Sequence, residues 1–138
     1  MILVDTSVWI DFIRGTGNSP ASALHALVTD GAAICLADIN ITEILRGVAD
    51  DTAYEGIRDD LMKFPILNPH GVDTHIVAAA IYRDCRRKGE TIRNSSDCLI
   101  AAIAMENDIA ILQNDSDFAR IASVFPALHL VNPEVFLT

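Results

Sequence analysis

Short apolar runs alternate along the chain with longer segments in which apolar residues recur every three or four positions. A short apolar run predicts a buried strand, and the longer spacing predicts a helix that packs on one face. The first strand covers Ile2 to Val4, and the helix that follows ends near Gly15. Further strands are predicted over 32–36, 64–67 at an edge, 109–112 and 128–131, and helices over 18–31, 40–48, 51–63, 72–89, from 95 and from 115.

This alternation predicts an α/β fold, a three-layer α/β/α sandwich with a central parallel sheet of four to five strands and right-handed crossovers. A chain of 138 residues has the usual length of one domain, so we expect a single domain over residues 1–138. Side chains that cap helices mark the predicted helix starts. The expected caps are Thr6 or Ser7, Asn40 in a capping box with Glu43, and Ser95 or Ser96.

Acidic residues recur where predicted strands end and helices begin. Asp5 directly follows the first strand, Glu43 and Asp97 lie in first helical turns, and Asp115 and Asp117 follow a late strand. In an open α/β sheet, residues at the carboxyl ends of the strands share one crevice. We therefore expect one carboxylate cluster, and its hard oxygen ligands favour Mg²⁺ or Mn²⁺ over zinc.

Each acid also has a purely structural explanation. Asp and Glu are favoured in first helical turns, where free amide groups and the helix dipole stabilise negative charge. For Glu43 and Asp115 this explanation stands beside metal binding, and the sequence leaves both open. Asp5 is different because it follows a central strand, and a buried carboxylate costs several kcal/mol unless it is paired or metal-bound.

The net charge of −9 argues against a general nucleic-acid coat, but the cations are unevenly distributed. Five of the ten Lys and Arg residues lie between positions 83 and 93. This run is a candidate phosphate-binding surface, with a solvated helix end as the alternative. The candidate phosphate-binding residues are Arg86, Arg87, Lys88 and Arg93. The acidic remainder would attract a basic partner.

Several classes of protein are excluded by what the chain lacks. Every apolar run is shorter than the roughly 20 residues of a membrane span, and residues 1–5 do not resemble a secretory signal, so we expect a cytoplasmic protein. A GxSxG elbow, a P-loop and patterned Cys or His pairs are also missing, so we expect neither a covalent nucleophile nor an organic cofactor.

Four motifs in order resemble a PIN-domain ribonuclease, and more narrowly a VapC-type toxin of a type II toxin-antitoxin system. They are Val4-Asp5-Thr6-Ser7-Val8-Trp9-Ile10, Thr42-Glu43-Ile44-Leu45-Arg46-Gly47, Ser96-Asp97-Cys98-Leu99-Ile100-Ala101-Ala102 and Asn114-Asp115-Ser116-Asp117-Phe118. One motif alone is weak, but the ordered set spans residues 5 to 118 and covers nearly the whole chain.

The resemblance implies an endoribonuclease that hydrolyses structured or single-stranded RNA, such as transfer RNA, with water activated by Mg²⁺, or by Mn²⁺ as a substitute. It also implies a role for each acid in the motifs and for the hydroxyl groups after the first one. The implied catalytic and metal-binding quartet is Asp5, Glu43, Asp97 and Asp115, with Asp117 as an auxiliary ligand and Thr6 or Ser7 orienting Asp5.

The resemblance further implies a homodimer that is held inactive by a VapB-type antitoxin, whose C-terminal segment covers the acidic groove. Two other classes of protein compete with this interpretation. A receiver-like Mg²⁺-binding domain would need a lysine after a late strand, where Gln113 and Asn114 stand. A non-enzymatic acidic adaptor would explain the net charge but not the position of each acid.

Overall fold

The computed structural model describes residues 1–137. The strands are β1 (Ile2–Val4), β2 (Ile34–Ala37), β3 (Ile66–Leu67) and β4 (Ala110–Leu112). The helices are α1 (Thr6–Arg14), α2 (Ser19–Thr29), α3 (Asp38–Leu45), α4 (Asp51–Leu61), α5 (Val72–Arg87), α6 (Ser95–Glu106) and α7 (Ser116–Val124), with a short 3-10 helix over Pro133–Phe136. No helix within residues 1–137 is long and apolar enough to cross a membrane.

The four strands form one parallel sheet in the order β3, β2, β1, β4. Strand β1 is central, because Ile2 pairs with Ile34 of β2 on one side and with Ala110 of β4 on the other. The parallel α/β sandwich predicted from the sequence is confirmed. Since all strands run the same way, Asp5 after β1 and the residues after β2 and β4 emerge at one edge of the sheet.

Helices cover both faces of the sheet, and adjacent strand residues therefore enter different cores. Leu3 packs with α5, α6 and α7, while the next residue, Val4, packs with α1, α2 and α3. Both side chains are fully buried. Burial on both faces makes the strands continuously apolar and leaves their carboxyl ends as the place where polar side chains collect.

Helix α6 lies deepest in the molecule. Eight consecutive residues, Asp97 to Ala104, are buried between α5, α7 and β4. Small side chains at Ala101, Ala102 and Ala104 allow this close approach from several sides. Because α6 precedes β4 and runs antiparallel to it, the first turn of α6 places Asp97 at the carboxyl edge of the sheet.

The strand predicted over 128–131 is wrong. Leu130 forms only an isolated parallel bridge with Ile111, through two backbone hydrogen bonds at 2.9 Å. The chain leaves the sheet immediately afterwards, because the Asn132 side chain accepts a hydrogen bond from the Glu134 amide and caps the 3-10 helix that begins at Pro133.

Three predicted helix starts are displaced. Asp5, not Thr6 or Ser7, caps α1, and Asn94, not Ser95 or Ser96, caps α6. Helix α3 begins at Asp38, so Asn40 lies inside its first turn and accepts from the Ala37 amide instead of acting as the cap. The capping box predicted for Asn40 and Glu43 is therefore wrong, and the Asn40 Nδ2 and the Glu43 carboxylate make other contacts.

Candidate metal centre

The predicted quartet of Asp5, Glu43, Asp97 and Asp115 lines one cavity of about 210 Å³ at the carboxyl edge of the sheet. Asp5 follows β1, Glu43 lies on α3 after β2, Asp97 lies in the first turn of α6, and Asp115 follows β4. The other lining residues are Thr6, Ser7, Arg46 and Asn94. A larger cavity of about 520 Å³ lies beside α5 and shares Asn94, but its lining contains no carboxylate.

Asp5 is 3% exposed and is held by its own helix. Its Oδ2 accepts hydrogen bonds from the Ser7 amide at 3.0 Å and from the Ser7 hydroxyl at 2.7 Å. The Ser7 hydroxyl in turn accepts from the Asn114 amide after β4, which ties two strand ends together. Burial raises the pKa of Asp5. The hydrogen bonds from Ser7 lower this pKa, and the charge of Glu43 raises it further.

Asp97 is an acid whose ionised form is opposed both by burial and by neighbouring charges. Burial, followed by the charges of Asp5 and Asp115, raises its pKa from 3.8 to about 9. Its Oδ2 is buried and has no hydrogen-bond partner within residues 1–137. An unpaired buried carboxylate oxygen beside other carboxylates is the environment that a bound cation would stabilise.

Two hydroxyl groups face Glu43. Thr6 donates to its Oε1 at 3.0 Å. The Ser96 hydroxyl lies 3.1 Å from its Oε2, but the single hydrogen of Ser96 is shared with Asn94 Oδ1 at 2.8 Å. The two hydroxyls that follow Asp5 therefore have different partners, because Ser7 contacts Asp5 whereas Thr6 contacts Glu43. The resemblance offered either residue for Asp5, and the hydrogen bonds distinguish them.

Asp115 and Asp117 differ in how far their oxygens are already used. Asp115 caps α7, and its Oδ1 lies 3.6 Å from Arg93. Asp117 is 1% exposed; its Oδ2 accepts from the amides of Arg93 and Asn94 at 3.1 Å, and its Oδ1 accepts from Arg120 at 2.9 Å. Asp117 is thus close to the cluster, but protein groups already occupy both of its oxygens.

A divalent cation fits this set of donors. One carboxylate oxygen from each of Asp97, Asp115 and Asp117 lies within 4.8 Å of the other two. Carboxylate oxygens are ligands that Mg²⁺ and Mn²⁺ accept, and the unpaired oxygen of Asp97 is available. Because Asp117 is engaged by two amides and Arg120, Asp97 and Asp115 are better candidates for cation ligands than Asp117.

The predicted basic residues do not form one surface. Arg86, Arg87 and Lys88 are exposed at the carboxyl end of α5, where Arg87 pairs with Asp84 at 3.2 Å. Arg93 instead contacts the acids, 3.6 Å from both Asp115 and Asp117. It therefore contributes to the charge balance of the carboxylate cluster.

Sequence reasoning gave no site role to Asn40, Asn94 or Arg120, although all three contact the acids. Asn94 directly precedes the Ser96-Asp97 motif and could have been recognised as a helix cap. Arg120 lies three residues after Asp117, a spacing that pairs side chains on a helix. Asn40 carries no such signal, because its role depends on how α3 packs beside α1.

The chain matches the PIN domain family model over residues 2–124. This chain belongs to the PIN-domain family. It is 38% identical over 125 residues to Ribonuclease VapC11 of Mycobacterium tuberculosis and to a VapC ribonuclease of Mycobacterium bovis, an alignment that covers 90% of this chain and 93% of each relative. The resemblance drawn from the four motifs is confirmed.

Solved structures support the same fold. VapBC2 from Rickettsia felis, bound to a DNA fragment from its promoter, contains a chain with a TM-score of 0.73 to this PIN domain. The two are 22% identical, with 96% of this chain and 98% of that chain covered. VapBC-1 from nontypeable Haemophilus influenzae gives a TM-score of 0.71 at 18% identity, with coverage of 97% and 99%.

The raised pKa of Asp97 predicts a pH-dependent effect of Asp97→Asn on stability. Between pH 4 and about pH 9 the unfolded chain loses this proton while the folded protein keeps it, so wild-type stability falls as pH rises. We expect Asp97→Asn to raise the melting temperature in EDTA at pH 8 by about 3 °C or more, with a smaller gain at pH 5. Differential scanning calorimetry at both pH values measures this.

The matched control is Asp59→Asn, since Asp59 is exposed on α4 and pairs only with Arg58. This variant should give a small change in melting temperature at either pH. The prediction fails if Asp97→Asn lowers the melting temperature equally at pH 5 and pH 8.

Proposed function

We propose that this PIN-domain protein is a metal-dependent endoribonuclease and the toxin of a VapBC-type pair. The observation that carries the proposal is the burial of Asp5 and Asp97 in one pocket with Glu43 and Asp115. Carboxylates that raise each other's pKa are costly to fold together, and cation binding explains why they are there. The curated relatives, named as VapC ribonucleases, support the same activity.

Asp5, Asp97 and Asp115 would hold Mg²⁺, or Mn²⁺ as a substitute, with Glu43 beside them and Asp117 as an auxiliary group. The bound cation would supply a water of lowered pKa and positive charge for the phosphoryl oxygens. Ser7 holds Asp5 and Thr6 holds Glu43, so these carboxylates are oriented before a substrate enters. Asp97, protonated at neutral pH without metal, would lose its proton on cation binding.

We propose RNA as the substrate, in single-stranded or structured form such as transfer RNA. The net charge of the chain is −9, which repels RNA phosphates. Cationic side chains beside the acidic pocket would attract the phosphates locally. Arg93 lies beside the pocket, 3.6 Å from Asp115, whereas Arg86, Arg87 and Lys88 form a separate positive segment at the exposed end of α5.

The two competing interpretations have less support. A binding module that uses acids to attract a basic partner would display them, whereas Asp5 and Asp97 are 3% and 4% exposed. A receiver-like site would include a lysine, and the cation lining this pocket within the described residues is Arg46. Buried acids with an unpaired oxygen therefore favour the nuclease.

Besides the C-terminal segment expected over the acidic pocket, a VapB-type antitoxin would bind an apolar groove between α1, α2 and α4. This groove, of about 360 Å³, is lined by Trp9, Phe12, Ile13, Val28, Ile57, Asp60, Leu61, Lys63 and Phe64. The Trp9 Nε1 is buried there without a hydrogen-bond partner among residues 1–137. A concave apolar groove with a free donor suits an amphipathic helix that brings an acceptor.

A second copy of the chain would pack on α5. Val72, Ile76 and Val77 are exposed large apolar residues of this helix, and Val72 and Ile76 share one face at a spacing of four. A convex helix can meet its own copy across a two-fold axis, because the same residues then contact each other. The groove and the α5 face are thus proposed for different partners.

Substitution of the buried acids tests the catalytic proposal. Asp5→Asn and Asp97→Asn each remove a carboxylate from the pocket, so we expect both Mn²⁺ binding and RNA cleavage to fall. The loss should exceed the roughly 10- to 100-fold effect of removing a supporting group. Cleavage of transfer RNA and of a single-stranded RNA panel is measured with Mg²⁺, and Mn²⁺ binding by calorimetry. Asp59→Asn is the exposed control; wild-type cleavage by both pocket variants would exclude this mechanism.

The basic run is tested by the salt dependence of RNA binding in EDTA, which prevents cleavage. Arg86→Gln with Lys88→Gln removes two cations that have no ion-pair partner within residues 1–137. If both contact phosphates, the slope of log affinity against log salt should become shallower by about 1 to 1.5. Arg58→Gln with Lys63→Gln removes two paired cations of the α4 region and should leave the slope unchanged. If both double variants give the same slope of log RNA affinity against log salt, Arg86 and Lys88 do not contact phosphates and belong to an ordinary solvated surface.

A pair of charge insertions separates the two protein partners. Ile13→Glu places a charge in the groove, and Ile76→Glu places one on the α5 face. On co-expression, we expect Ile13→Glu to fail to co-purify with its cognate VapB-type antitoxin. Its molar mass in light scattering should remain that of a dimer, because the substitution alters the groove and not the α5 face. Ile76→Glu should become monomeric and keep the antitoxin. The opposite pattern, or no change in either variant, would contradict the assignment.

A further inference from the structure

Asn40 is a fully buried polar side chain on α3 that lies against the first two residues after β1. Its Oδ1 accepts from the Ala37 amide at 2.9 Å. Its Nδ2 donates to the Thr6 hydroxyl at 2.9 Å and to Asp5 Oδ1 at 3.4 Å. One amide side chain therefore contacts the backbone at the start of α3, a carboxylate of the pocket and a hydroxyl that binds a second carboxylate.

The orientation of the Asn40 amide follows from its partners. The Ala37 amide can only donate, so the group facing it must be the side-chain oxygen. The side-chain NH₂ then faces Thr6 and Asp5, where its two hydrogens have one acceptor each. The fold thus determines which end of the amide meets the pocket.

This orientation also determines the direction of the Thr6 hydroxyl. A hydroxyl has one hydrogen, and Thr6 accepts from Asn40, so its own hydrogen is free to donate to Glu43 Oε1 at 3.0 Å. Donation therefore runs from Ala37 through Asn40 and Thr6 to Glu43. The Ser96 hydroxyl lies 3.1 Å from the other oxygen of Glu43 and 2.8 Å from Asn94 Oδ1, and these two acceptors share its one hydrogen. Thr6 is therefore the better defined donor to Glu43.

We infer that Asn40 is a positioning residue that prepares Asp5 and Glu43 for a divalent cation by directing the Thr6 hydroxyl toward Glu43. The inference rests on the proposed function, because the cation is the group for which the carboxylates are prepared. Asn40 acts through Thr6 and by its contact with Asp5, and it lies behind these residues because its side chain is fully buried.

Asn40→Asp separates this role from simple charge. Aspartate at position 40 still accepts from the Ala37 amide, so the start of α3 is retained. In its ionised form it offers Thr6 only acceptor oxygens, so the Thr6 hydrogen turns toward residue 40 and leaves Glu43. Burial beside Asp5 favours the protonated form, which could still donate to Thr6, so Mn²⁺ binding is compared at rising pH and the weakening should grow as residue 40 ionises. Added negative charge alone would tighten cation binding, whereas lost orientation weakens it. The two explanations therefore predict opposite signs.

The experiment measures Mn²⁺ affinity of the full chain by electron paramagnetic resonance, for wild type, Asn40→Asp, Thr6→Val and the double variant. We expect each single substitution to weaken Mn²⁺ binding by about 10-fold or more. The double variant should bind no more weakly than the weaker single variant, because both changes remove the same contact to Glu43. Circular dichroism verifies that each variant is folded.

The matched control is Thr74→Val, which removes another fully buried polar contact at the opposite end of α6. Thr74 accepts from the His70 amide and donates to Glu106, both at 2.7 Å. This variant should lose stability and keep wild-type Mn²⁺ affinity. A weakened Mn²⁺ affinity in Thr74→Val would assign the losses to general destabilisation and overturn the inference.

Two results with Asn40→Asp would also overturn it: Mn²⁺ binding at or above the wild-type affinity, or losses that add in the double variant. If Asn40→Asp does not fold, the comparison of Thr6→Ser with Thr6→Val is the test. Thr6→Ser keeps the hydroxyl and should retain wild-type Mn²⁺ affinity, whereas Thr6→Val should bind Mn²⁺ more weakly. Equal Mn²⁺ affinities of these two variants would contradict the inference. Asp97→Asn distinguishes the two proposals. If Asp97→Asn loses Mn²⁺ binding and Asn40→Asp does not, the proposed metal site is supported and the role of Asn40 is contradicted. If the wild-type protein binds no Mn²⁺, both proposals are contradicted.

Discussion

Electrostatic repulsion among buried carboxylates is the constraint on which the rest of the site depends. Asp5 and Asp97 are buried and therefore desolvated, and neighbouring acids in the pocket carry the same sign of charge. Desolvation and repulsion both favour the protonated acid, so the metal-free fold carries an energetic cost that a cation would offset. The surrounding hydroxyls, amides and arginines hold the carboxylates in place against this repulsion.

The parallel sheet makes this arrangement possible. Both faces of the sheet are covered by helices, so the strands are apolar along their length and polar groups collect at their carboxyl edge. Helices α1, α3, α6 and α7 begin at this edge, and the first turns of α1 and α7 supply amide donors to Asp5 and Asp115, acids that could bind metal. Asp5 shows both uses, because one oxygen accepts from its own helix while the other faces Asn40.

The sequence predicted the sheet, most helices and the four acids, because these depend on local apolar patterns and on the chain order of strand ends. It failed where the outcome depends on packing between distant segments. The segment 128–131 has the composition of a strand, but the turn at Pro133 allows it only one bridge. Asn40 looked like a helix cap, and only the approach of α3 to α1 shows that its amide faces Thr6. Likewise, the engagement of Asp117 by the distant amides of Arg93 and Asn94 could not be inferred from the Asp-x-Asp spacing, whereas the local spacing of Arg120 indicates its pairing.

Trp9 gives the molecule an optical property that follows from its position. It is the only tryptophan of the chain, and its indole lines the apolar groove with Phe12 and Phe64 close by. Indole emission responds to the polarity of its surroundings and to hydrogen bonding at the ring nitrogen. All tryptophan fluorescence of this protein therefore originates at the surface proposed for the antitoxin. Binding at this surface would change the emission, so it can be followed without a label.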